Sequence, residues 1–435
     1  MIKRLNGQGL ALSGGGYRAS LFHLGVTRRL HELGILQKTT RISSVSGGSI
    51  LSGFLAHKML QYGVERPAFS DWEDQVSAPF RALVRKDVRT GLLLRHLAWN
   101  WAFPGPRANG LVKAFERKLG NRRLVELPKA SPDTTEFIFL ATDIEQGVLW
   151  RFTPEKIGNY RGGLEPTPED MSIARAVAAS ACFPPVFGPI TIKRDGKVVA
   201  HLTDGGVYDN TGMEPIWTDN KVILISDAGT PFETRVPKWF GSRIMRYVNI
   251  GRNQVGALRR RAVIERLHKD YMLVRKYDEQ DIESAGVESP CDLAQEADCF
   301  MRTRRLTDKP TGAFWRLGSR RSGFYEGADA EFRREIAALE QDWYGYPDDG
   351  PGDIVNTRIA EIRTDLDAFT SSEAKILENH GYVMGDLAMR RHARHLGDVS
   401  KAFRVPHRDV LDPGVVTAAL RKSHSRLYLW RRWFE

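Results

Sequence analysis

The chain has 435 residues, 42% of them hydrophobic, so it can bury a large core as one big domain or as two to three smaller ones. No run approaches the roughly 18 consecutive apolar residues of a membrane-spanning helix, and three cysteines, Cys182, Cys291 and Cys299, are an odd number and too widely placed for a disulfide framework or a four-ligand zinc site, so they read as reduced and structural. The net charge of +11 is concentrated: Arg81 to Arg123 holds eleven Lys and Arg against only Asp87 and Glu116, a balance that attracts an anionic partner such as an acidic membrane surface or nucleic acid.

Met1-Ile2-Lys3-Arg4 leads almost at once into a strand without a signal-peptide core, so a cytoplasmic location is expected. Gly9 to Ser13 forms that short apolar strand. Gly14-Gly15-Gly16-Tyr17-Arg18 follows as a loop, and from Ala19 to Leu36 leucines recur at helical spacing. Arg41 to Ser46 and the helix from Gly47 to about Gln61 make a second strand–helix unit. Two such units in sequence predict an α/β fold with a mainly parallel sheet covered by helices. Residues 63–130 interrupt this rhythm as a basic, aromatic and largely helical insertion, with Trp99, Trp101 and Phe103 before the turn Pro104-Gly105-Pro106.

The sheet resumes at Glu136 to Asp143, pairs as a hairpin with Val148 to Phe152, and gives way to a helix from Ser172 to about Cys182 that Pro184-Pro185 terminates. Strands at Ile190 to Ile192 and Val198 to Leu202 join across Asp195-Gly196, and a last strand spans Val222 to Ser226. From about Pro231 the pattern is mostly helical. Phe332 to Trp343 is amphipathic, Thr370-Ser371-Ser372-Glu373 has capping-box spacing, and Gly381 reads as the helix stop. The aromatic, basic tail Arg426 to Phe434 reads as a terminal helix packed on the body, the alternative being that it docks on a membrane surface or a partner.

Three loops carry chemistry. Ser44-Val45-Ser46-Gly47-Gly48 is a strand-to-helix turn of the nucleophile-elbow type, with Ser44 in place of the usual leading glycine; such a turn exposes Ser46 beside the free N–H groups of a helix N-terminus. The glycine loop matches a dinucleotide fingerprint, but no acidic residue ends the second strand, and Glu32 sits mid-helix. Its other reading is an oxyanion hole, whose backbone donors stabilise negative charge on a tetrahedral intermediate. Asp204-Gly205-Gly206 supplies a carboxylate on a sharply turning loop, suited to act as a base for serine. His201 in an alternating strand, the pair His392 and His395, and Arg259-Arg260-Arg261 read as surface or structural features.

Taken together, Ser13 to Arg18, Ser46 and Asp204-Gly205-Gly206 resemble the patatin-like phospholipases. Lesser echoes lie at Ala141-Thr142-Asp143, Ala178-Ala179-Ser180-Ala181 and Val207-Tyr208-Asp209-Asn210. The resemblance implies a patatin-like α/β sandwich over residues 8–229, with a mostly helical region at 230–435. It further implies a Ser46–Asp204 dyad that hydrolyses acyl esters of phospholipid or lysophospholipid, without metal or organic cofactor. Gly14, Gly15, Gly16 and Gly47 would hold the oxyanion, and Arg18 would support the loop or face a lipid phosphate. The basic insertion would bring the protein to an anionic membrane, peripherally at its inner face. The alternatives are a dinucleotide- or nucleic-acid-binding protein, or a hydrolase that stays inactive until a signal or partner binds.

Overall fold

The computed structural model describes residues 7–88, 109–184, 186–229, 240–284, 311–325, 328, 330–343, 354–421 and 423. Ten strands form one sheet: β1 (Gln8–Leu12), β2 (Arg41–Val45), β3 (Glu136–Asp143), β4 (Val148–Phe152), β5 (Lys156–Asn159), β6 (Gly163–Pro166), β7 (Ile190–Arg194), β8 (Lys197–Asp204), β9 (Val222–Asp227) and β10 (Thr311–Arg316). The order is β10-β9-β1-β2-β3-β4-β5-β6, and β8 joins β3 from the side with β7 behind it. From β10 to β3 all neighbours are parallel, and beyond β3 all are antiparallel. Every residue of β1 and of β3 is buried, as expected of strands covered on both faces.

Helix α1 (Gly16–Glu32) follows β1 and α2 (Gly47–Tyr62) follows β2, so the two expected strand–helix units are present. Gly63, in the left-handed region at φ 65°, ends α2. The β7–β8 hairpin turns at Asp195 and Gly196, both at positive φ, as a two-residue turn of this kind requires.

The C-terminal half departs from expectation in two ways. It contributes β10, which extends the parallel sheet beyond β9. The helix Ser371–His392 is capped by the Thr370/Glu373 box, but it runs straight through Gly381. Gly381 is there for close packing and not for termination. A Cβ on it would stand 1.8 Å from the carbonyl oxygen of Phe22, and a Cβ on Gly25 would stand 1.8 Å from that of Glu378, so α1 and this helix cross with backbones in contact. Buried residues of both halves form one continuous apolar core, and the fully buried pair Arg29–Asp386 at 2.7 Å ties them. Gly381→Ala is accordingly expected to destabilise the fold by about 1–3 kcal/mol or more, since neither backbone can yield. A denaturant midpoint equal to that of the unsubstituted chain would contradict this crossing.

The insertion keeps its basic side chains busier than its composition suggests. Arg81 is bound to Glu73 and to the buried Glu378, which also takes Arg28 and His407. Burial pushes the Glu378 carboxyl up, but His407, Arg81 and Arg28 outweigh it and hold the group at about 2. Lys118 donates to the Tyr17 hydroxyl and to the carbonyls of Leu83 and Lys86, and Arg122 and Arg123 pair with Glu126. Arg89, Arg95, Arg107, Trp99, Trp101 and Phe103 lie outside the described residues, as do Cys291, Cys299 and the tail from Arg426. Among the described residues no helix is long and apolar enough to cross a membrane.

Candidate active site

The topology brings Ser46 and Asp204 to the same side of one strand, because β4 fills the other side of β3 from Phe139 to Asp143. β2 pairs with β3 through Val45 and Leu140, and β8 pairs with β3 through Asp204 and Ala141. The residue that follows β2 and the residue that ends β8 therefore meet at the same edge of the sheet.

Ser46 is held at φ 49° and ψ −113°, and Asp195 is the one other non-glycine residue at positive φ among those described. A conformation this unfavourable persists only where the surroundings impose it, and it points to function. Here the backbone N–H of Ser46 donates to Ser180 Oγ at 2.9 Å, and Ser180 donates to the carbonyl of Leu140 at 2.6 Å. Ser49 Oγ lies 2.8 Å from Ser180 Oγ and 3.1 Å from Ser44 Oγ. Ser44 thus occupies the tight elbow position with its small hydroxyl absorbed into this chain. The sharpness of the turn rests on Gly47 and Gly48, where a Cβ would fall 2.1 Å from Gly16 O and 2.2 Å from Leu12 O.

Asp204 is buried. Its Oδ1 accepts from the N–H of Gly206 at 2.7 Å, and its Oδ2 takes no hydrogen bond. Burial pushes the carboxyl up to about 6, against the pull of the Ser46 hydroxyl, the Gly206 N–H and the Arg252 guanidinium. The strand carrying Asp204 is anchored by Thr142, which donates to the carbonyl of Asp204 at 2.9 Å.

The glycine loop lies against both groups. Gly15 and Gly16 have φ of 144° and 59°, and a Cβ on Gly14 would come within 3.1 Å of Ser46 Cβ. The Gly14 N–H is spent on the carbonyl of Asn210 at 3.0 Å, so the expectation that it donates to an oxyanion is corrected. Gly15 and Gly16 line the same cavity as Ser46, and Gly47 follows Ser46 directly in the chain. Arg18 is fully buried and donates to the carbonyls of Ile362 at 3.0 Å and Ala228 at 2.9 Å. It supports the loop and does not face a lipid phosphate. Behind the loop, Trp315 Nε1 donates to Ser226 Oγ, and His23 bridges Ser226 Oγ at 2.8 Å to the carbonyl of Ser13 at 3.0 Å. That carbonyl can only accept, so His23 carries its proton on Nε2 and accepts from Ser226 through Nδ1.

Several residues that complete the site escaped sequence reasoning. The helix Phe240–Ser284 crosses above it, and Arg252 Nε donates to the carbonyl of Gly206 at 3.1 Å. Arg259 pairs with Asp209 at 2.6 Å, while Arg260 and Arg316 approach Asp227 at 3.9 and 3.4 Å. Arg259 and Arg260 are thus site residues and not a solvated helix face. Together these elements enclose a cavity of about 690 Å³ with Ser46, Asp204 and the three glycines in its wall, apolar residues such as Phe183, Val186, Phe187 and Leu366 on one side and the arginines on another. His201 lies away from it, exposed and 2.7 Å from Glu145. Cys182 is buried, and its thiol is pushed up by burial and by Asp204. No group of three or more metal-ligating side chains occurs among the described residues.

Residues 10–217 match the family described as Patatin-like phospholipase. Among solved structures, the chain is similar to human GIVD cytosolic phospholipase A2, at 13% identity over 51% of this chain and 45% of that one, with a TM-score of 0.38. A second structure of that protein, in complex with Methyl gamma-Linolenyl Fluorophosphonate, gives 16% identity, 51% and 40% coverage and a TM-score of 0.37. VipD from Legionella pneumophila gives 18% identity, 60% and 56% coverage and a TM-score of 0.29. The chain spans about half the length of the solved structures it matches. No curated protein matches it.

Proposed function

From a chain whose residues 10–217 form a patatin-like phospholipase domain, we propose a serine lipid acyl hydrolase that cleaves phospholipid or lysophospholipid through a Ser46–Asp204 dyad. The observation that carries this reading is the strained Ser46 beside a buried carboxylate on the same side of β3, both in the wall of a partly apolar cavity. Ser46 Oγ attacks the ester carbonyl as Asp204 takes its proton, and the N–H groups of Gly15, Gly16 and Gly47 hold the oxyanion. Collapse of the tetrahedral intermediate expels the alcohol with the proton that Asp204 returns. Asp204 then deprotonates the water that releases the fatty acid and restores Ser46. The apolar wall suits an acyl chain, and the catalytic unit is taken as residues 8–229 with the C-terminal region completing the cavity.

A fluorophosphonate probe and a panel of lipid esters test this together. Labelling at Ser46 and turnover of at least one phospholipid or lysophospholipid are expected. Labelling elsewhere, or no turnover of any ester, would overturn the assignment.

The acid limb of the activity profile gives an independent check. Asp204 must be ionised to accept the proton, so turnover should fall as pH drops through about 6, well above the usual carboxylate range. The Arg252 charge pulls this value down, so Arg252→Gln should move the acid limb to higher pH. A limb that stays near pH 4 in the unsubstituted chain would remove Asp204 as the base.

A further inference from the structure

The helix Phe240–Ser284 presents two different faces. Inward, Val263 is buried with Ala11, Met213, Ile216, Ile223 and Ile225 against the sheet, and Arg252, Arg259 and Arg260 reach the cavity. Outward, Ile244, Tyr247, Val248, Val255 and Leu258 stand between 45 and 67% exposed. Ile244, Val248, Gly251, Val255, Leu258 and Ala262 are spaced alternately by four and three residues, so they fall along one line of the helix about 27 Å long. Gly251 and Val255 also line the cavity, so this apolar row runs along its mouth.

A row of this kind serves either as a seam for a second helix or as a face laid on lipid. Charge decides between them. The stretch Arg243 to Ala262 contains six arginines and no Asp or Glu. Arg246, Arg252, Arg259 and Arg260 line the cavity, which leaves Arg243 and Arg261 outside it. A second copy would set these against their own kind with no acidic partner in the stretch and would cover the cavity mouth, whereas an anionic lipid surface suits both the charge and the mouth. We propose that the exposed row from Ile244 to Leu258 docks this protein on an anionic membrane surface and lays the cavity mouth against lipid. The proposal rests on the lipid-hydrolase reading of the site and moves the expected docking surface from the insertion to this helix.

Sedimentation of the full chain with phosphatidylglycerol-containing vesicles, with phosphatidylcholine vesicles as reference, tests it. The Val248→Asp/Leu258→Asp variant should lose roughly ten-fold or more in partition to the anionic vesicles, because two buried aliphatic contacts become charged. Added salt should weaken binding of the unsubstituted chain. Turnover of a short soluble ester should stay unchanged, since neither residue lines the cavity. Should the charged pair fail to fold, Val248→Ser/Leu258→Ser should show a smaller loss in the same direction. Undiminished vesicle binding in a folded variant would overturn the proposal. So would light scattering that finds a dimer in the unsubstituted chain and a monomer in the variant, because the row would then be a subunit seam. An ester assay run beside the sedimentation on the unsubstituted chain separates the two readings: vesicle binding by a chain that hydrolyses no ester overturns the hydrolase and leaves the docking surface standing.

Discussion

Ser46→Ala is expected to abolish ester hydrolysis, by roughly 10⁶-fold where nucleophile and base act as a unit, while the protein still folds. The backbone hydrogen bond to Ser180 Oγ does not involve the lost hydroxyl, and the side chain is small and at the cavity wall. No neighbouring serine can take over. Ser43, Ser44 and Ser49 are fully buried, and the hydroxyls of Ser44 and Ser49 are held in contacts within the elbow. Turnover and probe labelling measured on Ser46→Ala beside Ser49→Ala decide the matter. Normal turnover in the first would end the nucleophile assignment.

Asp204→Asn should lower turnover by the 10²–10⁴-fold typical of losing a general base, roughly, with the loop kept in shape. The amide oxygen can still accept from the Gly206 N–H, so the geometry at Oδ1 survives. What is lost is the proton acceptor. His201→Ala should cost far less, since His201 points to Glu145 on the surface. In a triad the imidazole takes the serine proton and the carboxylate only orients it, and the order of effects would reverse. A His201 variant as inactive as the Asp204 variant, both folded, would sink the dyad.

The parts of this architecture legible in the sequence are those where local pattern and tertiary context agree. The apolar runs of β1 to β4 and β9, the periodic leucines of α1, the Asp195-Gly196 hairpin and the Thr370 capping box each announce their own structure. Ser46 and Asp204 were legible because each sits on a turn flanked by glycines between regular elements. What escaped has a common cause in long-range contact. β5 and β6 are four residues each, and β6 is exposed throughout, so neither carries an alternating pattern. β10 exists because an edge of the sheet waits for it at β9. Gly381 carries the local mark of a helix stop, and only the carbonyl of Phe22 on another helix explains why it stays helical. Arg259 and Arg260 look like solvated charges until Asp209 and Asp227, some 50 and 30 positions away along the chain, are brought beside them.

The crossing at Gly25 and Gly381 makes the family boundary one of sequence and not of folding. A chain ended at Gly229 would keep every residue of the elbow, the glycine loop and Asp204. It would also strip α1 of the helix it touches backbone to backbone, leave the Arg29 guanidinium without Asp386, and remove Asp365, whose carbonyl accepts from the Tyr17 N–H in the first turn of α1 at 2.9 Å. The start of α1, directly after the glycine loop, is therefore held from more than three hundred residues downstream. The proposed nucleophile, base and glycine loop lie in the first half of this chain, and the second half holds them in place.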